Sequence, residues 1–308
     1  MDMQDLILIS TSSKNPETKN TLSHFLKTAD MQMHSWLAEG EYGQWAVECF
    51  LKSDQFLETD HFLKTNWGAV SSIRNIANSM QLDINLISEK NRRKKLLLAD
   101  MDSTLIKGES LDEIAAKVGI GEEIANITRQ SMRGELDFNQ SITKRVAMLK
   151  GIKEDILLEI IEETHLNNGA SLLAPTMKKS GAFCYIVSGG FDFLTIPIAQ
   201  KIGFDGSFSN KLEITNSHLT GNVIPPILGV HAKKEALTQL SKHHNLKSVD
   251  VAAIGDGAND LEMLEAAGLG VAFEGKQLLR DQIATQLNYT DLTGLLFLQG
   301  YTIGDMIS

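Results

Sequence analysis

The chain is short of what several large protein classes need. Only two cysteines occur in its 308 residues. Cys49 and Cys184 lie far apart in apolar surroundings, in neither a CxxC nor a zinc-ligand spacing. A disulfide framework and a cysteine metal site are thereby excluded, and both thiols are expected to be buried as small hydrophobes in a reduced compartment. Positive charge is also scarce. With 29 Lys and Arg against 39 Asp and Glu, the net charge of −10 leaves no electrostatic footprint for nucleic acid or an anionic membrane. No uninterrupted apolar run approaches the roughly 20 residues of a membrane span. Met1-Asp2-Met3-Gln4-Asp5 carries acid where a secretory leader carries base. Internal repeats and low-complexity segments are absent. The expectation is a cytoplasmic protein whose partner is a small solute, with neither nucleic acid nor membrane as partner.

What is present fits an ordinary globular chain, 43% hydrophobic and 22% charged. A length near 300 is about where one core stops growing and chains divide, so two domains are expected. Residues 1–90 read as strand (Leu6–Ile9), helix (Thr18–Lys27), strands (Met31–Leu37 and Gln44–Leu51), helix (Phe62–Ser79) and strand (Ile84–Ile87). That β-α-β-β-α-β order is the split βαβ arrangement of an α+β unit. The charged run Asn91-Arg92-Arg93-Lys94-Lys95 reads as a solvated linker and domain boundary.

Residues 91–308 have a different pattern. Leu96–Ala99, Phe183–Val187, Val251–Ile254 and Leu269–Phe273 are apolar runs without alternation, which suits strands buried on both faces of a parallel sheet. Helices predicted at Asp192–Ile202, Ala232–His243 and Asp260–Ala267 supply the crossovers of a Rossmann-like α/β core. Between Leu105 and Ser180 only helices are expected, a cap insertion at about 108–178. Within it Ser110-Leu111-Asp112-Glu113 and Asp137-Phe138-Asn139-Gln140 have capping-box spacing, and Gly119 and Gly151 suit helix stops. Phe208–Val223 reads as a hairpin turning at Asn216-Ser217.

Ligands of open parallel sheets gather beyond the carboxyl ends of the strands, and there the chemistry lies. The first run ends in Asp100-Met101-Asp102-Ser103-Thr104, the second in Ser188-Gly189-Gly190, the third in Gly255-Asp256-Gly257-Ala258-Asn259-Asp260, with Lys233 opening a helix between the last two. Two carboxylates facing each other, Asp100 and Asp256, imply a hard divalent cation such as Mg²⁺. Ser188, the Gly189 amide and Lys233 would then bind a phosphoryl group. Asp100 is placed to attack it as nucleophile, and Asp102, two residues on, to shuttle protons.

These four ordered segments resemble the haloacid-dehalogenase-like phosphatases, and in finer pattern the phosphoserine phosphatase family. The resemblance covers roughly Leu96 to Phe273. It implies an aspartyl phosphate on Asp100, general acid/base work by Asp102, and Mg²⁺ held by Asp100, Asp256 and the Asp102 carbonyl. Glu109 would meet the substrate ammonium and Arg145 its carboxylate, while Met132 and Phe138 close over the site and Asn259 supports it. The implied substrate is O-phosphoserine and the implied role the last step of serine biosynthesis. The first 90 residues resemble the ACT type of amino-acid-sensing or dimer-forming domain, which would allow a homodimer.

Plainer readings stand beside these. Lys233 next to Lys234 is also a plausible exposed pair at a helix start. Asn259 and Asp260 also suit helix caps, and Glu109 and Arg145 suit surface charges. Met132 and Phe138 are ordinary core types, and His231, His243 and His244 read as surface residues. Two other functions stay open: transfer of the phosphoryl group to another small alcohol such as homoserine, and a non-catalytic amino-acid sensor whose C-terminal half is a relic.

Overall fold

The computed structural model describes residues 6–51, 67–133 and 135–307, leaving aside the side chains of 51, 67–72, 132 and 307. Two sheets organise it. The first comprises β1 (Leu6–Ser12), β2 (Met31–Glu39), β3 (Gln44–Leu51) and β4 (Asp83–Ile87) in the order β2-β3-β1-β4, every pairing antiparallel. Helices Thr18–Thr28 and Trp67–Ser79 cross between its strands, which is the split βαβ topology that the element order predicts. The expected start of the second helix, at Phe62, lies outside the described residues.

Side-chain alternation along β1 explains why this sheet is covered on both sides. Ile7 and Ile9 join Leu22, Phe25 and Val47 in one apolar cluster. Leu6 and Leu8 point the other way, into the same cluster as Leu292, Leu295 and Leu296 near the C-terminus.

The second sheet has seven strands in the order β11-β10-β9-β5-β6-β7-β8. They are β5 (Leu96–Ala99), β6 (Phe183–Phe191), β7 (Gly206–Thr215), β8 (His218–Ile224), β9 (Val251–Gly255), β10 (Leu269–Phe273) and β11 (Thr285–Leu287). All neighbours are parallel except the hairpin β7–β8. Its turn residues Asn216 and Ser217 both have positive φ, 49° and 59°, as a two-residue hairpin loop matched to strand twist requires. Every residue of β5 is fully buried. Leu97 and Ala99 face one core cluster, Leu96 and Leu98 the other, so a continuous apolar run is what this central strand needs. Between β5 and β6 the described residues form five α-helices, Ser110–Lys117, Gly121–Met132, Phe138–Ala147, Asp155–Glu163 and Ala170–Lys179. Among the described residues no helix is long and apolar enough to cross a membrane.

The two sheets meet through buried polar groups. The Asp83 carboxylate accepts from the main-chain N–H groups of Asn288 (2.8 Å), Tyr289 (3.0 Å) and Thr290 (2.8 Å). Asn85 exchanges two bonds of 2.9 Å with the Gln286 backbone, and Ser10 pairs with Thr290 at 2.8 Å. The charged run 91–95 is less solvated than its composition suggests. Arg92 ion-pairs with the buried Glu48 and donates to the carbonyls of Phe297 and Leu298. Lys94 is 7% exposed and bonds the carbonyls of Asn91 and Val249. Carbonyls at the ends of packed elements need donors, and these long cations reach them while burying their stems.

Candidate active site

Three neighbouring strands bring the reactive segments to one level. Ala99 pairs with Ile186 on one side and Ile254 on the other, so Asp100 emerges beside the Ser188 segment of β6 and Asp256 just beyond β9. The Asp100 amide continues the ladder onto the Ile254 carbonyl at 3.0 Å, and its Oδ1 accepts from the Met101 amide at 2.8 Å. The chain then closes a wide turn in which the Ile106 amide bonds the Met101 carbonyl at 3.0 Å. Asp102 stays extended, while Ser103 takes φ 57°, a left-handed conformation uncommon for a non-glycine residue and found at functional turns.

Lys233 is 4% exposed. Its ammonium bonds Asp100 Oδ1 at 2.7 Å and Asp260 Oδ1 at 2.5 Å. Burial opposes its charge, but the two carboxylates outweigh burial and raise its pKa above the usual lysine value. Asp260 Oδ2 accepts from the Gly257 amide at 2.9 Å. Gly255 makes room for it, because a Cβ there would lie 2.3 Å from Asp260 Cγ.

Carboxylate oxygens of Asp100, Asp256 and Asp260 lie within 4.8 Å of one another, all buried. Opposite them stand Lys233 and, on Asp256 alone, Lys276 at 3.2 Å. Burial and the neighbouring Asp260 hold the Asp100 carboxyl well above the ordinary range, with Lys233 pulling it back. Asp256 is also raised, chiefly by burial. Such a cluster carries more negative charge than its lysines neutralise. Both Asp260 oxygens are taken by Lys233 and Gly257, so Asp100 and Asp256 are the pair with oxygen capacity for a hard divalent cation, which fits the donor chemistry of Mg²⁺.

Asp102 turns away from this cluster. Its Oδ1 accepts from the Ser110 amide at 2.8 Å, and the Ser188 hydroxyl donates to Oδ2 at 3.3 Å. Any bond from Asp102 to a cation would therefore come from its main-chain carbonyl. Burial raises its pKa against the bonds from Ser110, which favours a held proton. This geometry corrects the capping box expected at Ser110. Glu109 occupies the cap position without a side-chain cap bond, because Asp102, arriving from the preceding turn, already satisfies the first helical amide. The second box forms as expected, with Asp137 and Gln140 bonding reciprocally at 2.8 and 3.0 Å. Gly190 leaves space at Asp102, since a Cβ there would sit 2.7 Å from Oδ2, and its amide donates to the Ser188 hydroxyl at 2.9 Å.

Of the predicted recognition residues, Phe138, Asn259 and Glu109 lie beside this centre. Phe138 packs over Gly189, its ring 3.2 Å from where a Cβ would be. The two residues line one pocket with Ser188, Lys233, Val230 and Asn259. Glu109 accepts from the Ser103 hydroxyl at 3.0 Å. Although it keeps an exposed face, burial of the rest and the nearby Asp102 charge raise its pKa to about 7. Arg145 Nε is buried with no hydrogen-bond partner among the described residues, and burial lowers its pKa while Asp112 and Glu109 oppose the shift. Met132 ends helix Gly121–Met132, and its side chain lies outside the described residues.

The sequence pattern gives Asp260 with Asn259 as helix cap and candidate site support, and the structure adds that Asp260 is the second partner of Lys233; its place in Gly-Asp-Gly-X-Asn-Asp was the available signal. Two contributors escape the sequence pattern. Lys276 left no signal beyond a lone cation after β10. Ser110 was read as a cap when it is a donor to Asp102. Of the three expected surface histidines, His231 and His243 are exposed, His231 pairing with Glu262 at 3.0 Å, whereas His244 is half-buried, stacks on Phe183 at 3.8 Å and meets the Tyr185 hydroxyl.

Known proteins resemble this chain in sequence and fold. A family model described as haloacid dehalogenase-like hydrolase matches residues 97–265. The phosphoserine phosphatase of Archaeoglobus fulgidus is 37% identical over 225 residues, covering 72% of this chain and 65% of its own length. A phosphoserine phosphatase of Mycobacterium tuberculosis is 40% identical over 215 residues, 70% of this chain and 53% of that protein. The chain thus spans less than two thirds of the length of either relative. Among solved structures, a haloacid dehalogenase family hydrolase of Salmonella enterica serovar Typhi superposes with a TM-score of 0.83 at 31% identity, covering 96% of this chain and 98% of that one. Since the match runs across more than half of the sequence and through the strand ends that carry Asp100 and Asp256, the chain belongs to the haloacid dehalogenase-like hydrolase family.

Proposed function

We propose that this protein is a Mg²⁺-dependent phosphatase that hydrolyses O-phospho-L-serine to L-serine and phosphate through an aspartyl phosphate, as the last step of serine biosynthesis. The observation that carries the substrate is a buried donor and a raised carboxyl near the acid cluster, each within reach of the Asp102 charge. Arg145 presents a buried guanidinium N–H with no partner among the described residues, and Glu109 a carboxyl raised to about 7. A buried donor without a partner costs free energy that an incoming acceptor recovers, and a planar guanidinium suits a carboxylate. A phosphomonoester that also bears one carboxylate and one ammonium supplies both. The relatives named above carry the name of this activity.

In this reading Asp100 attacks phosphorus and the serine oxygen leaves with a proton from Asp102, whose raised pKa keeps it loaded. Asp102 then takes a proton from water, which attacks the aspartyl phosphate and releases phosphate and Asp100. Ser188, the Gly189 amide and Lys233 bind the phosphoryl oxygens throughout. Lys233 has a further duty, holding Asp100 in place through the 2.7 Å bond. Mg²⁺, held by Asp100, Asp256 and the Asp102 carbonyl, would supply charge neutralisation at the phosphoryl group. Phe138 and Arg145 lie two turns apart on one helix, which places a closing residue and a recognition residue on a single element; Asn259 lines the same pocket as Phe138, and the role assigned to Met132 in this reading is to close over the site.

The domain reading follows the same lines: residues 1–90 form an ACT-like α+β domain, which would support a homodimer, and residues 91–308 the phosphatase domain, with its helical cap at about 108–178. Phosphate release from O-phosphoserine, with and without Mg²⁺, tests the activity against phosphothreonine and sugar phosphates. Phosphoserine is expected to be hydrolysed fastest and only with the metal. A preference for sugar phosphates would remove the roles of Glu109 and Arg145.

A further inference from the structure

The helices between Ser110 and Glu163 leave the core through residues 106–108 and return through 165–167, and the two strands of this connection are tied to each other. The Lys107 amide donates to the His165 carbonyl at 2.8 Å, and Ile106 and Leu166 form an isolated antiparallel bridge. Asn167 does more than continue this ladder. Its main-chain amide donates to the Leu105 carbonyl at 2.9 Å, and its side-chain amide to the carbonyls of Thr104 at 2.8 Å and Ile106 at 3.2 Å. One residue therefore holds three consecutive carbonyls of the turn that carries Asp100 and Asp102. The far side of this residue is also anchored. The Leu292 amide bonds the Asn168 carbonyl at 3.1 Å. Gly169, at φ 82°, has the Thr293 amide 2.7 Å from where a Cβ would be, and Thr293 Oγ1 donates to Gln44 of β3 at 3.0 Å.

We propose that Asn167 is a positioning residue for the reaction. It fixes the 104–106 backbone, and through it Asp102 and the exit strand, against the core while the helices beyond Ser110 move. This deepens the phosphatase reading and rests on it for the kinetic part. The physical basis is donor count. The asparagine amide offers two N–H groups, both spent on carbonyls that have no other side-chain donor among the described hydrogen bonds. An aspartate of the same shape offers none when ionised and sets its charge against those carbonyls; when protonated it regains one donor.

The test is Asn167→Asp beside Asn168→Asp, which adds the same charge to an exposed neighbour. Hydrogen exchange of residues 101–108 is read together with phosphoserine turnover from pH 6 to 8.5. In Asn167→Asp, exchange of that segment is expected to accelerate and kcat at pH 8.5 to fall on the order of 10–100-fold, the scale of a misplaced catalytic group. KM for phosphoserine should change far less than kcat, because the lost bonds position Asp102 and do not touch the substrate. Asn168→Asp should show neither change. An unchanged kcat, a loss confined to KM, or unaltered exchange at 101–108 overturns the proposal. If the unsubstituted protein releases no phosphate from phosphoserine, the phosphatase reading fails while the exchange data still decide what Asn167 holds.

Discussion

Replacing Lys233 by methionine should reveal how the acid cluster is balanced. The ammonium is buried and bonded to Asp100 at 2.7 Å and Asp260 at 2.5 Å, so its loss leaves two carboxylates in the interior without their cation. Removing one partner of a buried ion pair costs about 3–5 kcal/mol, against a total stability of about 5–15 kcal/mol for a typical protein. The carboxylates limit that loss by taking up protons, so the penalty depends on pH. Asp100 already stands above its unfolded value, and without Lys233 it rises further. A carboxyl whose folded pKa exceeds its unfolded one binds more protons folded than unfolded, so stability falls as pH rises between the two values. Lys233 itself, raised above 10.5, stays charged below that pH and adds no slope of its own. Urea unfolding in EDTA at pH 6 and pH 8.5 measures the difference. With a urea slope on the order of 3 kcal/mol/M, the midpoint should drop by about 1–2 M at pH 8.5 and by visibly less at pH 6, and excess Mg²⁺ should narrow the gap. An equal drop at both pH values, or a variant as stable as the parent, would refute the assignment of Lys233 as the counter-ion of the cluster.

Other substitutions follow from the same geometry. Asp100→Asn should abolish phosphate release while leaving the circular dichroism spectrum unchanged, because Lys233 keeps Asp260; retained turnover would remove Asp100 as nucleophile. Arg145→Ala deletes a charged contact worth about 1.5–3 kcal/mol, so the ratio of phosphoserine to p-nitrophenyl phosphate turnover at low substrate should fall roughly 10–100-fold; an unchanged ratio contradicts its recognition role. Glu109, with a pKa raised to about 7, is neutral below that pH and anionic above it, so KM for phosphoserine should climb as pH falls through 7. The climb should vanish in Glu109→Gln and be absent for p-nitrophenyl phosphate; persistence in Glu109→Gln would assign it to another group.

Much of the second sheet was legible because a strand buried on both faces must be apolar throughout, and β5, β9 and β10 are. The residues at their ends were legible for the complementary reason: Asp100, Ser188 and Asp256 end three apolar runs at one rim, and their convergence points to a ligand where any one alone could be a solvated strand end. β11 was not legible. Thr285, Gln286 and Leu287 make a short polar strand whose place is secured by Asn85, distant in sequence. Gln44 reads as an ordinary strand residue, and Ser10 and Asp83 fall just outside the expected strands, since partners such as Thr290 and Asp291 are found only through the tertiary fold. Asp260 was obscured because the first residues of a helix favour acids for capping alone, and local pattern cannot tell that use from a bond to a buried lysine.

The Asp83 carboxylate, with its three amides at 288–290, bears on how the molecule comes apart. Cutting the chain near residue 90 would strand those amides and uncover Leu292, Leu295 and Leu296, so the excised C-terminal portion would start life with a sticky, underpaired flank. The two sheets are thus closer to a single casting than to beads on a string, and heat should melt them together, in one calorimetric peak.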